Sequence, residues 1–140
     1  MNLTYRCKHL ELGNGLTIKE PLIPVTLKGS NGIRLNVTAV LDSGSDFVLL
    51  PLEIADALEL KYNVNDKDTA KLYTGTTITT TQSSVRIQLS KGHENMEIEC
   101  DCAIFLEKEK QHEHIIFGSS FFDHFRIHFD YPHNRFSIKQ

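Results

Sequence analysis

Short runs of alternating apolar and polar positions, broken by turn residues, run through most of the chain, and this period of two predicts a mostly β protein. Positions 22–28 and 33–41 read as strands joined through Gly29-Ser30-Asn31-Gly32, whose Asn-Gly pair is a strong hairpin signal. Positions 51–60 predict a short helix, because Pro51 suits a first helical position and Leu52, Ala55 and Leu58 fall on one face. Positions 69–73 and 76–89 are together rich in threonine, valine and isoleucine, with Gly75 as the reversal between them, so a projecting hairpin is expected there. The most regular strand follows: Met96, Ile98, Cys100, Cys102, Ile104 and Leu106 alternate with Glu97, Glu99 and Asp101, giving one buried and one wet face. A charged loop over 107–114 leads into a buried strand, Ile115-Ile116-Phe117, that stops at Gly118. Positions 119–125 predict a short helix capped by Ser119 or Ser120, and 126–139 a terminal hairpin with Asp130 as a turn residue. Neither repeat nor linker interrupts the pattern, so one domain over 1–140 is expected.

Composition narrows the class. The 140 residues are 40% apolar and 24% charged with a formal charge of -3, the profile of an ordinary globular protein. Basic residues are scattered, which leaves no electrostatic footprint for nucleic acid and no polybasic membrane anchor. The N-terminus lacks an apolar export core and no run approaches the roughly 20 apolar residues of a membrane span, so a soluble, unexported chain is expected. Cys7, Cys100 and Cys102 make an odd count, which argues for a reducing compartment, the cytoplasm by default. Cys100 and Cys102 lie two apart, hence on one strand face, where small sulfur side chains serve as core filling. Glu109, His112, Glu113 and His114 have metal-binding chemistry, but a solvated charged loop is the expected reading, with no metal and no cofactor. Phe121, Phe122, Phe125, Phe129 and Phe136 are expected in core or dimer packing.

The candidate chemistry sits in Val40-Leu41-Asp42-Ser43-Gly44-Ser45. A carboxylate placed directly after an apolar strand is costly to desolvate unless something satisfies it. Gly44 permits a tight turn and close approach of another chain, and the hydroxyls of Ser43 and Ser45 can brace the carboxylate or its backbone. Asp46 is expected to face solvent, the competing arrangement being an intrachain acid pair of the glycosidase kind.

An apolar pair followed by Asp-Ser-Gly resembles the hallmark of aspartic peptidases, and the order of the later features resembles the retropepsin-like group. Positions 51–60, the hairpin around Gly75, Ile116-Phe117-Gly118 with positions 119–125, and the terminal hairpin take the places of that group's helix, flap, second apolar-pair glycine and closing strands. The run 116–130 is especially similar to bacterial and archaeal members, and the likeness covers about 20–139. It implies a closed β barrel with one or two short helices, working as a two-fold homodimer. It implies that Asp42 is the catalytic carboxylate, that Ser43 braces the two motif loops across the axis, that Gly44 is the close-approach glycine, and that Gly118 packs behind the loop. Tyr73, Thr74, Gly75, Thr76 and Thr77 would form the flap tip over the substrate. The implied activity is endopeptidase hydrolysis by an Asp-activated water, with a second copy and a peptide as the only partners. Only one Asp-Ser-Gly occurs, so a dyad requires two chains. Two departures mark the chain: Thr74-Gly75-Thr76-Thr77 is poorer in glycine than viral flaps, and Ser119-Ser120 replaces their arginine-bearing step. The alternative function is a peptide-binding or dimerisation module with little turnover.

Overall fold

The computed structural model describes residues 2–71, 75, 77–107 and 115–140. Tyr73, Thr74 and Thr76 of the expected flap tip, and Glu109, His112, Glu113 and His114, lie outside the described residues. Twelve strands and two short helices follow one another among those residues: β1 (Asn2–Arg6), β2 (Lys8–Leu12), β3 (Leu16–Glu20), β4 (Leu22–Lys28), β5 (Arg34–Leu41), β6 (Val48–Pro51), α1 (Leu52–Ala57), β7 (Lys67–Lys71), β8 (Thr77–Lys91), β9 (Glu94–Phe105), β10 (Ile115–Phe117), α2 (Ser119–Phe122), β11 (Arg126–Asp130) and β12 (Arg135–Lys139). The mostly β expectation therefore holds, with two short helices.

The main sheet has the order β4-β5-β10-β6-β9-β8-β7, and β4 pairs with β8 as well, so the pairings return on themselves. Two of its contacts are parallel, β10 with β5 and β6 with β9, and they bring together chain segments far apart in sequence. The alternation read from β9 is realised: Met96, Ile98, Cys100, Cys102 and Ile104 are buried. Beyond Cys102 the alternation stops. Ala103 and Phe105 are buried as well, because there β9 lies between β6 and β8 and its second face meets Leu49 and Ile78. The strand ends at Phe105, and Leu106 is only half-buried. All three cysteines are buried free thiols, and burial pushes the Cys100 and Cys102 thiols up to about 12.

Both helix readings need correction at their ends. Pro51 is the last residue of β6 and stands before α1, which runs only to Ala57. The helix closes at Glu59, whose φ of 53 is left-handed, while Glu59 N–H donates to the Asp56 carbonyl and Leu60 N–H to the Ala55 carbonyl, both at 3.0 Å. That pair of bonds is a Schellman closure formed without the usual glycine, so no sequence signal announced it. The apolar face is as read: Ala55 and Leu58 are fully buried and Leu52 packs beside them. Neither Ser119 nor Ser120 caps α2, which begins after Gly118 with no side-chain cap and is followed by a tight turn rather than helix as far as 125.

Four strands were not anticipated. β1 pairs with β12 beside β11 in a three-stranded sheet, sending Leu3 and Tyr5 into the core, where Tyr5 stacks on Phe136 at 5.3 Å. Its signal was present in the alternation of Leu3, Tyr5 and Cys7 with polar neighbours. β2 and β3 form a separate two-stranded sheet, and β6 enters the main sheet between β10 and β9. Phe121 and Phe136 are fully buried, whereas Phe129 stays 40% exposed and outside the core. Among the described residues no helix is long and apolar enough to cross a membrane.

Candidate active site

Strand β5 is buried at Ala39 and Leu41 and then releases the chain into an exposed turn at Asp42. The turn is closed by its own backbone: Ser45 N–H donates to the Asp42 carbonyl at 3.2 Å, and Gly44 N–H donates to Asp42 Oδ1 at 2.9 Å. Gly44 thus orients the carboxylate directly, and a Cβ there would stand 3.2 Å from the same oxygen. Ser45 spends its hydroxyl on the Phe47 carbonyl at 2.9 Å, bracing the loop rather than the acid. Ser43 is exposed in the single chain.

The loop is held from behind by the segment that follows β10. Asp42 N–H donates to the Phe117 carbonyl at 2.9 Å, Ser119 N–H to the Ser45 carbonyl at 2.8 Å, and Ser120 N–H to the Asp46 carbonyl at 3.1 Å. Gly118 lies at the centre of this seam. A Cβ there would meet the Ser45 carbonyl oxygen at 2.2 Å and that of Phe47 at 2.7 Å, far inside any contact distance. The requirement is for space rather than for an unusual dihedral. Ser120 then locks the seam to the sheet, its hydroxyl accepting from Val48 N–H at 2.9 Å and donating to the Asp101 carbonyl at 2.7 Å.

Asp42 opens on a cleft of about 880 Å³. Its apolar wall is made by Leu49, Ile78, Ala103 and Ile116, which with Phe105 form a small cluster apart from the main core. Ile78, Thr80 and Gln82 alternate along β8 on the cleft side, and Thr80 is 2% exposed. On the opposite side of β8, Thr81 donates to the carbonyls of Asn63 and Asp66 at 2.9 and 3.1 Å, fixing which face looks inward. Asp46 and Asp68 line the same cleft and are exposed. Gly75, with φ of 86, makes the reversal between β7 and β8, and Thr77 is exposed as the first residue of β8. Of the expected site residues, Asp42, Gly44, Ser45 and Gly118 come together in one hydrogen-bonded unit, with Gly44 and Ser45 lining the cleft. Missed by sequence reasoning were the wall residues and Asp68, since they are drawn from five strands and no local pattern marks them. Among the described residues no group of His, Cys, Asp and Glu side chains is placed to hold a metal ion.

Comparison with known proteins bears on this arrangement through structure alone. No protein-family model matches the sequence, and no curated protein matches it. Among solved structures, the chain is similar to a retropepsin-like aspartic protease from Rickettsia conorii, with a TM-score of 0.59 over 99% of this chain and 89% of that one, at 10% identity. At that identity the likeness shows the shared fold.

Proposed function

We propose that the chain is an aspartic endopeptidase whose working unit is a two-fold homodimer, each copy contributing Asp42 to a shared dyad. The observation that carries this reading is an exposed carboxylate, aimed by Gly44 N–H and held from behind across Gly118, at the mouth of an apolar-walled cleft. The ring of pairings β4-β5-β10-β6-β9-β8 reads as the closed barrel that carries such a site, and the fold shared with a retropepsin-like protease supports it.

Two carboxylates meeting at an axis cannot both ionise cheaply, so they hold one proton between them, as aspartic peptidases do as a class. The ionised member takes a proton from a water molecule as its oxygen attacks the scissile carbonyl carbon, and the protonated member gives its proton to the carbonyl oxygen. Collapse of the resulting diol breaks the C–N bond, and the amine leaves with a proton returned from the dyad. Ser43 would brace the two loops across the axis, and the hairpin turning at Gly75 would close over an extended peptide. No cofactor enters the scheme. Free thiols at Cys7, Cys100 and Cys102 fit a reducing compartment, the cytoplasm first.

The test is cleavage of a peptide library at acidic and neutral pH by the wild type and Asp42→Asn in parallel. Cleavage by the wild type alone, stronger on the acidic side, is expected; equal cleavage by both would remove Asp42 from the chemistry. Absence of cleavage by either would leave a peptide-binding module.

A further inference from the structure

Among the described residues the β2–β3 hairpin is joined to no other strand. Its register sets Leu10 opposite Ile18 and Leu12 opposite Leu16, all on one face of the ribbon because side chains two apart project the same way. Leu12, Leu16 and Ile18 are 43, 58 and 40% exposed, an aliphatic face open to solvent. The other face carries Glu11, Thr17 and Lys19, and Lys19 Nζ donates to the Tyr131 carbonyl at 2.7 Å. The polar face is thus tied to the body of its own subunit through Lys19, and Leu12, Leu16 and Ile18 of the aliphatic face are left open to solvent. A two-stranded ribbon is marginally stable in water by itself, and an open aliphatic patch of roughly 300 Å² is at the lower end of the largest patch on a typical monomer, which is often functional.

What covers it is decided by where the hairpin is rooted. β4 and β5 run antiparallel with Leu22 opposite Val40, and Leu41 N–H donates to the Pro21 carbonyl at 3.1 Å. Glu20, the last residue of β3, thus lies at the end of the sheet where β5 delivers Asp42. Any second copy that brings its own Asp42 to the first must approach this same end. The Asp42 turn is small and polar, and cannot by itself supply the apolar centre of a specific interface, which in total covers about 1,600 Å². Two hairpin faces, one from each copy, would add roughly 600 Å² of aliphatic surface to it.

We propose that the aliphatic face of the β2–β3 hairpin packs against a second copy of this chain and forms the apolar centre of the dimer that joins the two Asp42 carboxylates. The inference rests on the dimeric reading above. It is tested by sedimentation velocity over a dilution series on the wild type, on Leu16→Thr, and on Leu12→Thr/Leu16→Thr/Ile18→Thr. These residues are exposed and threonine suits a strand, so the thermal unfolding midpoint of the body, followed by circular dichroism, controls for folding. The expected result is a wild-type dimer whose dissociation constant rises about tenfold or more in the triple variant and by less in Leu16→Thr. Equal dissociation constants, or a wild type that is monomeric throughout, would overturn it. Peptide cleavage is read separately. A dissociating variant beside an inert wild type would leave the surface standing without the peptidase; a cleaving wild type with a fully dimeric variant would leave the peptidase without this surface.

Discussion

Asp42 accepts from the Gly44 backbone N–H and its side chain is exposed in the single chain, so an amide of the same shape fits its place. Asp42→Asn should therefore unfold within about 0.5 kcal/mol of the wild type in urea, while peptide cleavage falls a thousandfold or more, by about 4 kcal/mol in barrier. Gly118 is the opposite case. A methyl group 2.2 Å from the Ser45 carbonyl forces the seam apart, so Gly118→Ala should cost about 2 kcal/mol or more in urea unfolding and depress kcat by moving the Asp42 turn. The buried thiols give a pH signature. Because burial raises the folded Cys100 and Cys102 values from the ordinary 9.0 to about 12, their contribution to stability is complete below about 9 and is lost as pH climbs toward 12. Urea midpoints should fall over that interval, and a thiol reagent at neutral pH should react with both only on unfolding.

The elements were legible in proportion to how local their causes are. The alternation from Met96 to Ile104 specifies one face of β9 without reference to anything else, and the face is buried as written. The helix ends were not legible, because Glu59 takes the left-handed position that glycine normally occupies and Ser120 gives its hydroxyl to Val48 and Asp101 instead of to a cap. Both exceptions can be tested. Glu59→Gly should raise stability by about 0.5–1 kcal/mol, since glycine adopts that φ without a Cβ penalty, measured as a shift in the urea midpoint. Ser120→Ala should lower it by about 1–2 kcal/mol, because Val48 N–H loses its acceptor at a buried position.

At the scale of the whole molecule the decisive number is one Asp-Ser-Gly per chain. On the dimeric reading, specific activity should rise with protein concentration until dimer formation is complete. In an equal mixture with Asp42→Asn chains, exchanged to equilibrium, activity should settle at about half of what dilution alone leaves, since random pairing puts half of the wild-type chains with an inactive mate. Activity unchanged by the mixing would separate catalysis from pairing. The cleft itself shows why its walls could not be read from the sequence: Leu49, Ile78, Ala103 and Ile116 come from four different strands, and Ala103 stands on the face of β9 that the alternation marks as wet.

The sequence alone determined which residues alternate, where the chain reverses, and that one carboxylate follows an apolar strand into a glycine turn, because each of these is set within a few positions by strand period and turn chemistry. Only the tertiary structure decided that β10 slips between β5 and β6, that the segment after it clamps the Asp42 turn across Gly118, and that the N-terminal strands leave an aliphatic ribbon uncovered. Those outcomes depend on pairings between residues some 70 or more positions apart, as Phe117 with Leu41 and Ser120 with Val48, and a period-two pattern carries no information about which distant strand becomes a neighbour.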